Sequence, residues 1–314
     1  MDQLLNEGKE LNVQMMIEEK RKNRSVKNIF EKAIPYFLFL CASVSILTTL
    51  GILFTLLRES VGFFSSVSIV DFYTGASWGP WTGNFGVAPL IGGTLLITLV
   101  ATVVAVPIGL MSAIFLSEYA NDRVRRVIKP ILEVLAGIPT VVYGFFALTF
   151  VTPVLQSFIP GLGIFNALSA GIVVGVMIIP MIASLSEDAL NAVPNSLREG
   201  AYGLGSTKLE VVFKVLLPAG FSGIVASIVL AISRAIGETM IVTIAAGATP
   251  NLTMNPTESV QTMTAFIVQA ATGDTSFGSD IYYSLYAVGM TLFVITLVMN
   301  LLAQYISRKF REEY

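Results

Sequence analysis

The sequence predicts an all-α protein that crosses a membrane six times. Its 314 residues are 54% hydrophobic and 13% charged, whereas an average soluble domain has roughly 25% charged residues. Long uncharged runs recur along the chain, and about 20 apolar residues in a helix cross a hydrocarbon core about 30 Å thick. The basic residues are concentrated in alternate segments between these runs. Together these observations predict a polytopic membrane protein with both termini on one side.

The N-terminal part of the chain predicts a tail, two spans and one outer loop. Residues 1–33 are polar and mixed in charge, with basic residues concentrated towards the first apolar run, which is typical of a cytoplasmic tail. Residues 34–57 form an uncharged first span, which is too long for the apolar region of a cleaved signal peptide (about 7–15 residues). Residues 58–88 form an extracytoplasmic loop rich in aromatic residues, which favours an interfacial belt over a protein docking surface. The second span follows at 89–116.

The remaining uncharged runs predict four further spans. The stretch from Val134 to Ser186 lacks charge and is too long for one crossing, and Pro160-Gly161 divides it. The second half of this stretch contains Gly171 and Gly175, a GxxxG pattern that lets helices approach closely. The predicted segments are spans at 133–156 and 166–185, a polar cytoplasmic segment at 187–218, a fifth span at 219–247, an outer loop at 249–280, a sixth span at 281–306 and a cytoplasmic tail at 308–314.

The distribution of basic residues orients these spans. Cytoplasmic loops of membrane proteins carry an excess of Lys and Arg. Of the 19 Lys and Arg residues, all except Arg58 and Arg234 fall in segments that this arrangement places in the cytoplasm. Arg58 lies beside the first outer loop, and Arg234 lies within span five. The pattern predicts a multi-pass protein of the cell membrane with both termini in the cytoplasm.

Span five contains the charged motif Ser233-Arg234-Ala235-Ile236-Gly237-Glu238-Thr239. A charged Arg at the centre of a membrane helix costs roughly 2.5–3.5 kcal/mol on insertion scales, and such residues usually face a pathway or a partner. The spacing of Arg234 and Glu238 is i,i+4, which predicts that both side chains lie on one helix face.

Two interpretations of this motif compete. One is a structural ion pair that locks two helices together. The other is an anion gate, in which the planar guanidinium of Arg234 binds an oxyanion and Glu238 neutralises it while the site is empty. Gly237 would let a backbone or a substrate approach closely, and Ser233 and Thr239 add hydroxyl donors. These neighbours favour the gate and define the predicted substrate pathway, Ser233, Arg234, Glu238 and Thr239.

The composition argues against an enzyme. The chain has no histidine and one cysteine, so zinc and haem sites and Ser/His or Cys/His pairs are not expected. Glu118, Glu133, Glu187 and Asp188 are the candidate acids of a membrane enzyme, but carboxylates at helix ends and in loops are the favoured interpretation. We predict no catalytic residue, no metal and no cofactor.

The polar segment between spans four and five predicts a helix-turn-helix. Ser196 to Glu199 and Thr207 to Glu210 each have the sequence of a capping box. Gly205 is placed to end the first helix in a left-handed turn, and Pro218 closes the segment. These signals alone are compatible with an ordinary amphipathic connector between two spans.

This segment resembles the EAA loop of the permeases of ABC importers. The matching residues are Glu199, Gly200, Ala201, Gly205, Val215, Leu217 and Pro218, in which Gly200 and Val215 are conservative departures. The resemblance implies the type I ABC importer permease fold, with a five-helix core over 89–307, an additional first helix at 34–57 and a cytoplasmic coupling helix. In that family the loop docks in a groove of a separate ATPase subunit and transmits its ATP-driven closure.

A second resemblance concerns the substrate. The motif of span five, together with Asp71 to Gly75 in the first outer loop and Ser186 to Leu190, is similar to the C-type permeases of phosphate-specific ABC importers. It covers about Ile34 to Tyr314. It implies that Arg234 and Glu238 serve the passage of inorganic phosphate and that the membrane partners of the chain are lipid and a paralogous permease. It also implies two ATPase subunits, an extracytoplasmic phosphate-binding protein and no nucleic acid.

The alternatives remain within transport. One Arg does not distinguish tetrahedral anions, so phosphonate, sulfate or molybdate are further candidate substrates. A self-sufficient secondary transporter or channel is disfavoured because no convincing pair of broken helices is visible in the sequence. The Gly-containing stretch 203–208 lacks the Gly-Lys-Ser/Thr end of a P-loop, so ATP hydrolysis is expected on partner subunits.

Overall fold

The structure is a computed structural model that describes the backbone of residues 2–273 and 275–309. It describes the side chains of residues 34–273, 275–306, 308 and 309. The side chains of the predicted N-terminal tail and residues 310–314 of the predicted C-terminal tail lie outside the described residues. The chain divides into two units, residues 1–57 and 58–314. The first contains only helical backbone of the first helix, and the second contains every other element.

The described residues are almost entirely helical, which confirms the predicted fold class. The helices are α1 (Asp2–Ser66), α2 (Ile69–Thr74), α3 (Ala88–Ile114), α4 (Asp122–Gly137), α5 (Thr140–Phe146), α6 (Thr152–Phe158), α7 (Ala167–Asn191), α8 (Asn195–Gly203), α9 (Lys208–Val211), α10 (Leu217–Ala219), α11 (Phe221–Ile236), α12 (Met240–Ala245), α13 (Met263–Thr272) and α14 (Asp280–Lys309). Single π-helical turns at Phe115–Tyr119, Ala147–Val151 and Val212–Leu216 continue α3, α5 and α9, and a 3₁₀ turn lies at Pro80–Thr82. Two short strands, β1 (Trp78–Gly79) and β2 (Asn84–Phe85), pair antiparallel.

Five helical segments are long and apolar enough to cross a membrane, and a bent pair makes a sixth. The five are Ile34–Ser66, Ala88–Tyr119, Thr140–Phe158, Ala167–Asn191 and Asp280–Ile306. The bent pair is Lys208–Ala219 with Phe221–Ile236, which meet at an angle of 72°. These helices therefore support the predicted number of crossings.

Three predicted boundaries differ from the structure. The first helix extends to Ser66, into the predicted outer loop 58–88. Span three begins at Thr140 and not at 133, because α4 is a separate helix that ends before Pro139, whose ring cannot donate a backbone hydrogen bond. Span five, predicted as continuous over 219–247, is divided into α10, α11 and α12.

Helix α7 lies at the centre of the bundle, and two glycines let it approach α3. A Cβ atom at Gly171 would lie 2.6 Å from Val100 Cβ, and one at Gly175 would lie 2.9 Å from the Ala101 carbonyl oxygen. Both distances are far below van der Waals contact, so only glycine fits. The predicted close approach at this GxxxG pattern is confirmed, and the partner helix is α3.

We expect Gly171→Leu to destabilise the protein. The added side chain would force α3 and α7 apart, and overpacking of this kind costs about 1–3 kcal/mol. Gly200→Leu is a matched control, because nothing lies within 4 Å of a Cβ at Gly200. Thermal unfolding of the detergent-solubilised protein should show a lower Tm for Gly171→Leu alone. Equal Tm values for both variants would contradict the proposed role of this contact.

The aromatic residues of the first outer segment are buried in a cluster of their own. Phe63, Phe72 and Trp78 are at most 5% exposed and pack edge to face, and the Trp78 ring lies 4.7 Å from that of Phe266 on α13. We call these four residues, with Phe85, the aromatic cluster. The prediction of an interfacial belt is wrong for these residues, because they pack against α3, α13 and α14. Trp81, which is 56% exposed, remains at the surface.

Candidate functional site

The charged motif of span five lies at a break between two helices. Helix α11 ends at Ile236, and α12 begins at Met240. Between them, Glu238 turns inwards and is 8% exposed. Its Oε1 atom accepts hydrogen bonds from the backbone N–H groups of Met240 (3.0 Å) and Ile241 (3.2 Å). Glu238 thus satisfies the free N–H groups at the start of α12, where a negative charge is also favoured by the helix dipole.

This geometry corrects one prediction. Arg234 and Glu238 do not share a helix face, because the helix ends between them, and no ion pair joins them. Gly237 forms the C-terminal cap of α11. A Cβ there would meet nothing nearer than 3.8 Å within the chain, so the approach of a substrate to Gly237 stays a prediction.

The two predicted hydroxyl donors have local partners. The Ser233 hydroxyl donates to Asn300 Oδ1 on α14 at 2.9 Å. The Thr239 hydroxyl donates to the Gly237 carbonyl at 3.2 Å. In this conformation both hydroxyl groups stabilise the break and the packing of α11 on α14.

The Arg234 side chain is exposed and lines a cavity of about 360 Å³. The walls come from α4, α7 and the end of α11. Within the described part of the chain, no carboxylate forms an ion pair with Arg234. An unpaired guanidinium at such a position offers two parallel N–H donors to an oxyanion. The other polar residues of the cavity wall are Lys129, Glu133, Ser184, Glu187 and Asp188.

Glu187 is the most strongly paired charge in this cavity. Its side chain is fully buried, and it forms ion pairs with Arg125 and with Lys129, whose Nζ lies 3.1 Å from Oε2. Both cations belong to α4, so the carboxylate ties α4 to α7. From the sequence, Glu187 was a candidate acid whose favoured interpretation was a carboxylate at a helix end or in a loop. The uncharged run that precedes it on α7 and the basic stretch at 123–129 were visible in the sequence, but no local pattern indicated that Glu187 pairs with these basic residues.

The polar segment 187–218 forms the predicted helical hairpin with one correction. Thr207 and Glu210 form a reciprocal capping box at the start of α9, as predicted. Gly205 has φ +84°, and its predicted left-handed turn after α8 is confirmed. The capping box predicted at Ser196 is wrong, because α8 begins at Asn195 after Pro194 and Ser196 lies inside its first turn.

The capping carboxylate of α9 stays ionised in acid. The backbone N–H of Thr207, then the Lys214 ammonium and then the Thr207 hydroxyl lower the pKa of Glu210 from 4.5 to about 2. A depressed pKa adds stability that is complete above the ordinary pKa and is lost as the pH falls from there through about 2. The contact between Glu210 and the start of α9 therefore weakens only in acid.

Helix α8 has an inner and an outer side. Leu197 and Ala201 pack against an apolar cluster formed by α7, α9 and α11. Glu199 and Gly200 are exposed on the opposite side. Beyond the helix, the tip of the hairpin presents apolar side chains, with Leu204 90% exposed.

Arg198 fastens the inner side of α8 to the bundle. Its Nη1 atom lies 3.0 Å from Glu118 Oε1, and its Nη2 atom donates to the Leu190 carbonyl at 2.7 Å. Glu118, in the π-helical turn after α3, is only 6% exposed. The hairpin is thus held to both α3 and α7 through one guanidinium, a contact that sequence reasoning missed.

A line of polar groups continues from this contact to the cavity. The Ser117 hydroxyl lies 3.2 Å from both Glu118 Oε1 and Asn191 Oδ1, and it donates to either. The Asn191 amide donates to Glu187 Oε1 at 3.4 Å. Arg198 on the hairpin and Glu187 at the cavity are therefore joined by consecutive polar contacts. No group of three or more His, Cys, Asp or Glu residues suited to a metal ion occurs among the described residues.

The fold has solved counterparts among ABC transporters. An inward-facing MetNI methionine ABC transporter matches 75% of this chain and 100% of its own chain with a TM-score of 0.57 and 19% identity. A bacterial alginate ABC transporter matches 91% of this chain and 98% of its own with a TM-score of 0.64 and 15% identity. At these identities the likeness concerns the fold.

Sequence relatives are closer. The probable ABC transporter permease protein YqgH of Bacillus subtilis is 34% identical over 313 residues, 98% of this chain and 99% of that protein. The phosphate transport system permease protein PstC of Mesorhizobium japonicum is 36% identical over 255 residues, 75% of this chain and 77% of that protein. The family model described as the binding-protein-dependent transport system inner membrane component matches residues 105–312. The cavity, the hairpin and the helices that join them lie within this match, and the chain belongs to that family of membrane transport components.

Proposed function

We propose that this chain is the permease subunit of an ATP-driven ABC importer for inorganic phosphate. The observation on which this rests is the exposed guanidinium of Arg234, which forms no ion pair with any described residue and lines a cavity within the membrane-spanning bundle. An Arg at membrane depth with no carboxylate partner is costly unless an anion uses it. Several relatives, including PstC of Mesorhizobium japonicum and of Haemophilus influenzae, are named as phosphate transport permeases. The guanidinium therefore supports an oxyanion as substrate, and the names of the relatives support phosphate among the oxyanions.

The subunit would supply half of the pathway. We propose that a paralogous permease supplies the other half, so that Arg234 and Glu238 of this chain lie beside the corresponding span of the partner. In the closed state of the assembled importer, Glu238 would leave its place at the start of α12 and pair with Arg234. Both termini and the hairpin would lie on the cytoplasmic side of the cell membrane.

The energy would come from two separate ATPase subunits docked on the hairpin. The exposed side of α8 and the apolar tip at Leu204 support this surface, since exposed apolar side chains clustered beside polar ones mark protein interfaces. On the opposite side of the membrane, a phosphate-binding protein would dock on segments 58–88 and 249–280. Apart from Arg58, which pairs with Glu59, the charged residues described in these segments are acidic. This charge would suit a cationic partner surface.

The test is uptake of radiolabelled phosphate into vesicles that contain the assembled complex, with sulfate, molybdate and phosphonate as competitors. We expect uptake that requires ATP and that only unlabelled phosphate blocks. Inhibition by another oxyanion would contradict the assignment of phosphate as the substrate. Uptake without the ATPase subunits would overturn the proposed class of transporter.

We expect Glu199→Lys to separate ATP hydrolysis from transport. The substitution reverses an exposed charge at the proposed ATPase contact and leaves the inner side of α8 intact. Phosphate transported per ATP hydrolysed should fall, whereas Tm should not change. Glu199→Gln, which keeps the side-chain length, should be milder. An unchanged ratio for Glu199→Lys would mean that α8 is only a connector.

A further inference from the structure

The cavity that contains Arg234 has a second cation on its wall, Lys129 of α4. Its ammonium group lies 3.1 Å from Oε2 of the fully buried Glu187, and its side chain is 35% exposed. Arg125, one turn earlier on α4, pairs with the same carboxylate but does not line the cavity. One carboxylate therefore holds two cations, both of them 35% exposed, of which only Lys129 lines the cavity.

This arrangement allows Lys129 to move away while the buried carboxylate of Glu187 keeps one cationic partner. Removing the partner of a buried charge normally costs about 3–5 kcal/mol, because the remaining charge is left uncompensated. Here Arg125 would still pair with Glu187 after Lys129 has turned away. Lys also has a flexible four-carbon stem and a compact charge, which suits a group that exchanges partners, whereas Arg suits a fixed fork.

The cavity has room for the anion that such an exchange requires. A water molecule takes about 30 Å³ of liquid volume, so 360 Å³ corresponds to roughly ten waters. A tetrahedral oxyanion with part of its hydration shell fits this space. The wall also offers the Ser184 hydroxyl as a neutral donor.

We propose that Lys129 is a second anion-contact residue of the pathway, which binds phosphate together with or after Arg234. Glu187 takes the place of the anion at Lys129 while the cavity is empty, and Arg125 keeps Glu187 paired when phosphate displaces it. Ser184 donates a further hydrogen bond. This inference rests on the proposed function, because it assigns a residue to the passage of the same substrate.

Arg125 provides the matched control for the test. Lys129→Gln and Arg125→Gln each remove one cation from Glu187, but only the first removes a cation from the cavity. In vesicles with the full complex, Lys129→Gln should lower the maximal rate of phosphate uptake roughly tenfold or more, the size expected for one lost hydrogen bond to a charged substrate. Arg125→Gln should lower Tm and also lower uptake, but by less than Lys129→Gln, because the cavity keeps its cation while Glu187 loses its second partner. Lys129→Arg should restore most of the uptake.

A second variant tests whether a positive charge at position 129 is required, by adding it chemically to a protein that is already folded. Lys129→Cys is made in a Cys41→Ser background, since Cys41 is the only native cysteine of the chain. Attaching an aminoethyl group through a disulfide should restore uptake, whereas attaching a neutral methylthio group should not. Two results would contradict the proposal: equal uptake after both reagents, or equal losses for Lys129→Gln and Arg125→Gln. Either would mean that Arg125, Lys129 and Glu187 only hold α4 against α7. Absence of phosphate uptake by the unmodified complex would instead refute the proposed function.

Discussion

Replacing Arg234 by glutamine should abolish phosphate uptake and leave the folded complex intact. The guanidinium group is exposed in the cavity and has no ion-pair partner among the described residues, so its loss breaks no contact that holds the bundle. A bidentate contact with an anion supplies two charge-assisted hydrogen bonds, together about 3 kcal/mol or more, which is at least roughly a hundredfold in rate. Uptake by vesicles with saturating phosphate-loaded binding protein measures this loss.

Two further variants make the result specific to the guanidinium group. Arg234→Lys keeps the charge but loses the fork, so we expect intermediate uptake. Glu238→Gln keeps an oxygen that can accept from Met240 and Ile241, so the start of α12 should stay capped and Tm should change little. Copurification of all subunits checks assembly. Normal uptake by Arg234→Gln would remove Arg234 from the pathway.

Breaking the contact between Arg198 and Glu118 should uncouple the hairpin from the bundle. Arg198→Gln leaves the Glu118 carboxylate, which is 6% exposed, without its cation. Losing one partner of a buried pair costs about 3–5 kcal/mol, so α8 should shift away from α3 and α7. We expect ATP hydrolysis to continue while phosphate transported per ATP falls about tenfold or more, because this shift removes the link between hairpin and cavity.

The matched control is the double variant Glu118→Gln with Arg198→Gln. Because neither charge then remains buried alone, Tm should recover relative to Arg198→Gln. The transport ratio should stay low, since the contact itself is still missing. A ratio that recovers together with Tm would show that Arg198 serves stability alone. Lys214→Gln, which removes an exposed i,i+4 pair with Glu210, should change neither quantity much.

Local signals in the sequence predicted local structure well. The uncharged runs predicted the spans, Gly205 predicted the left-handed end of α8, and Thr207 with Glu210 predicted the start of α9. Each of these features depends on residues a few positions apart. The capping box predicted at Ser196 was wrong for a reason that is also local: α8 begins directly after Pro194, one residue before Ser196.

Features that depend on distant residues could not be predicted. A glycine such as Gly237 inside an apolar run is compatible with a continuous helix, and only the capping of α12 by Glu238 shows that the helix breaks there. Glu187 and its cations are far apart in the chain, so their pairing requires the packing of α4 on α7. The predicted pathway residue Arg234 was located correctly as a charge within span five, but its neighbours in the cavity were not.

The aromatic cluster has a consequence for the biogenesis of the protein. It joins Phe63 and Trp78, which are made early, to Phe266 on α13, which is made after most of the chain. Contacts of such high sequence separation form late, and until then the apolar surface stays unpaired. A nascent chain that stops before Met263 therefore leaves these early aromatic residues without the side chains of α13 that cover them. Completion of this cluster marks the point at which the newly inserted subunit no longer offers that apolar surface to chaperones and proteases.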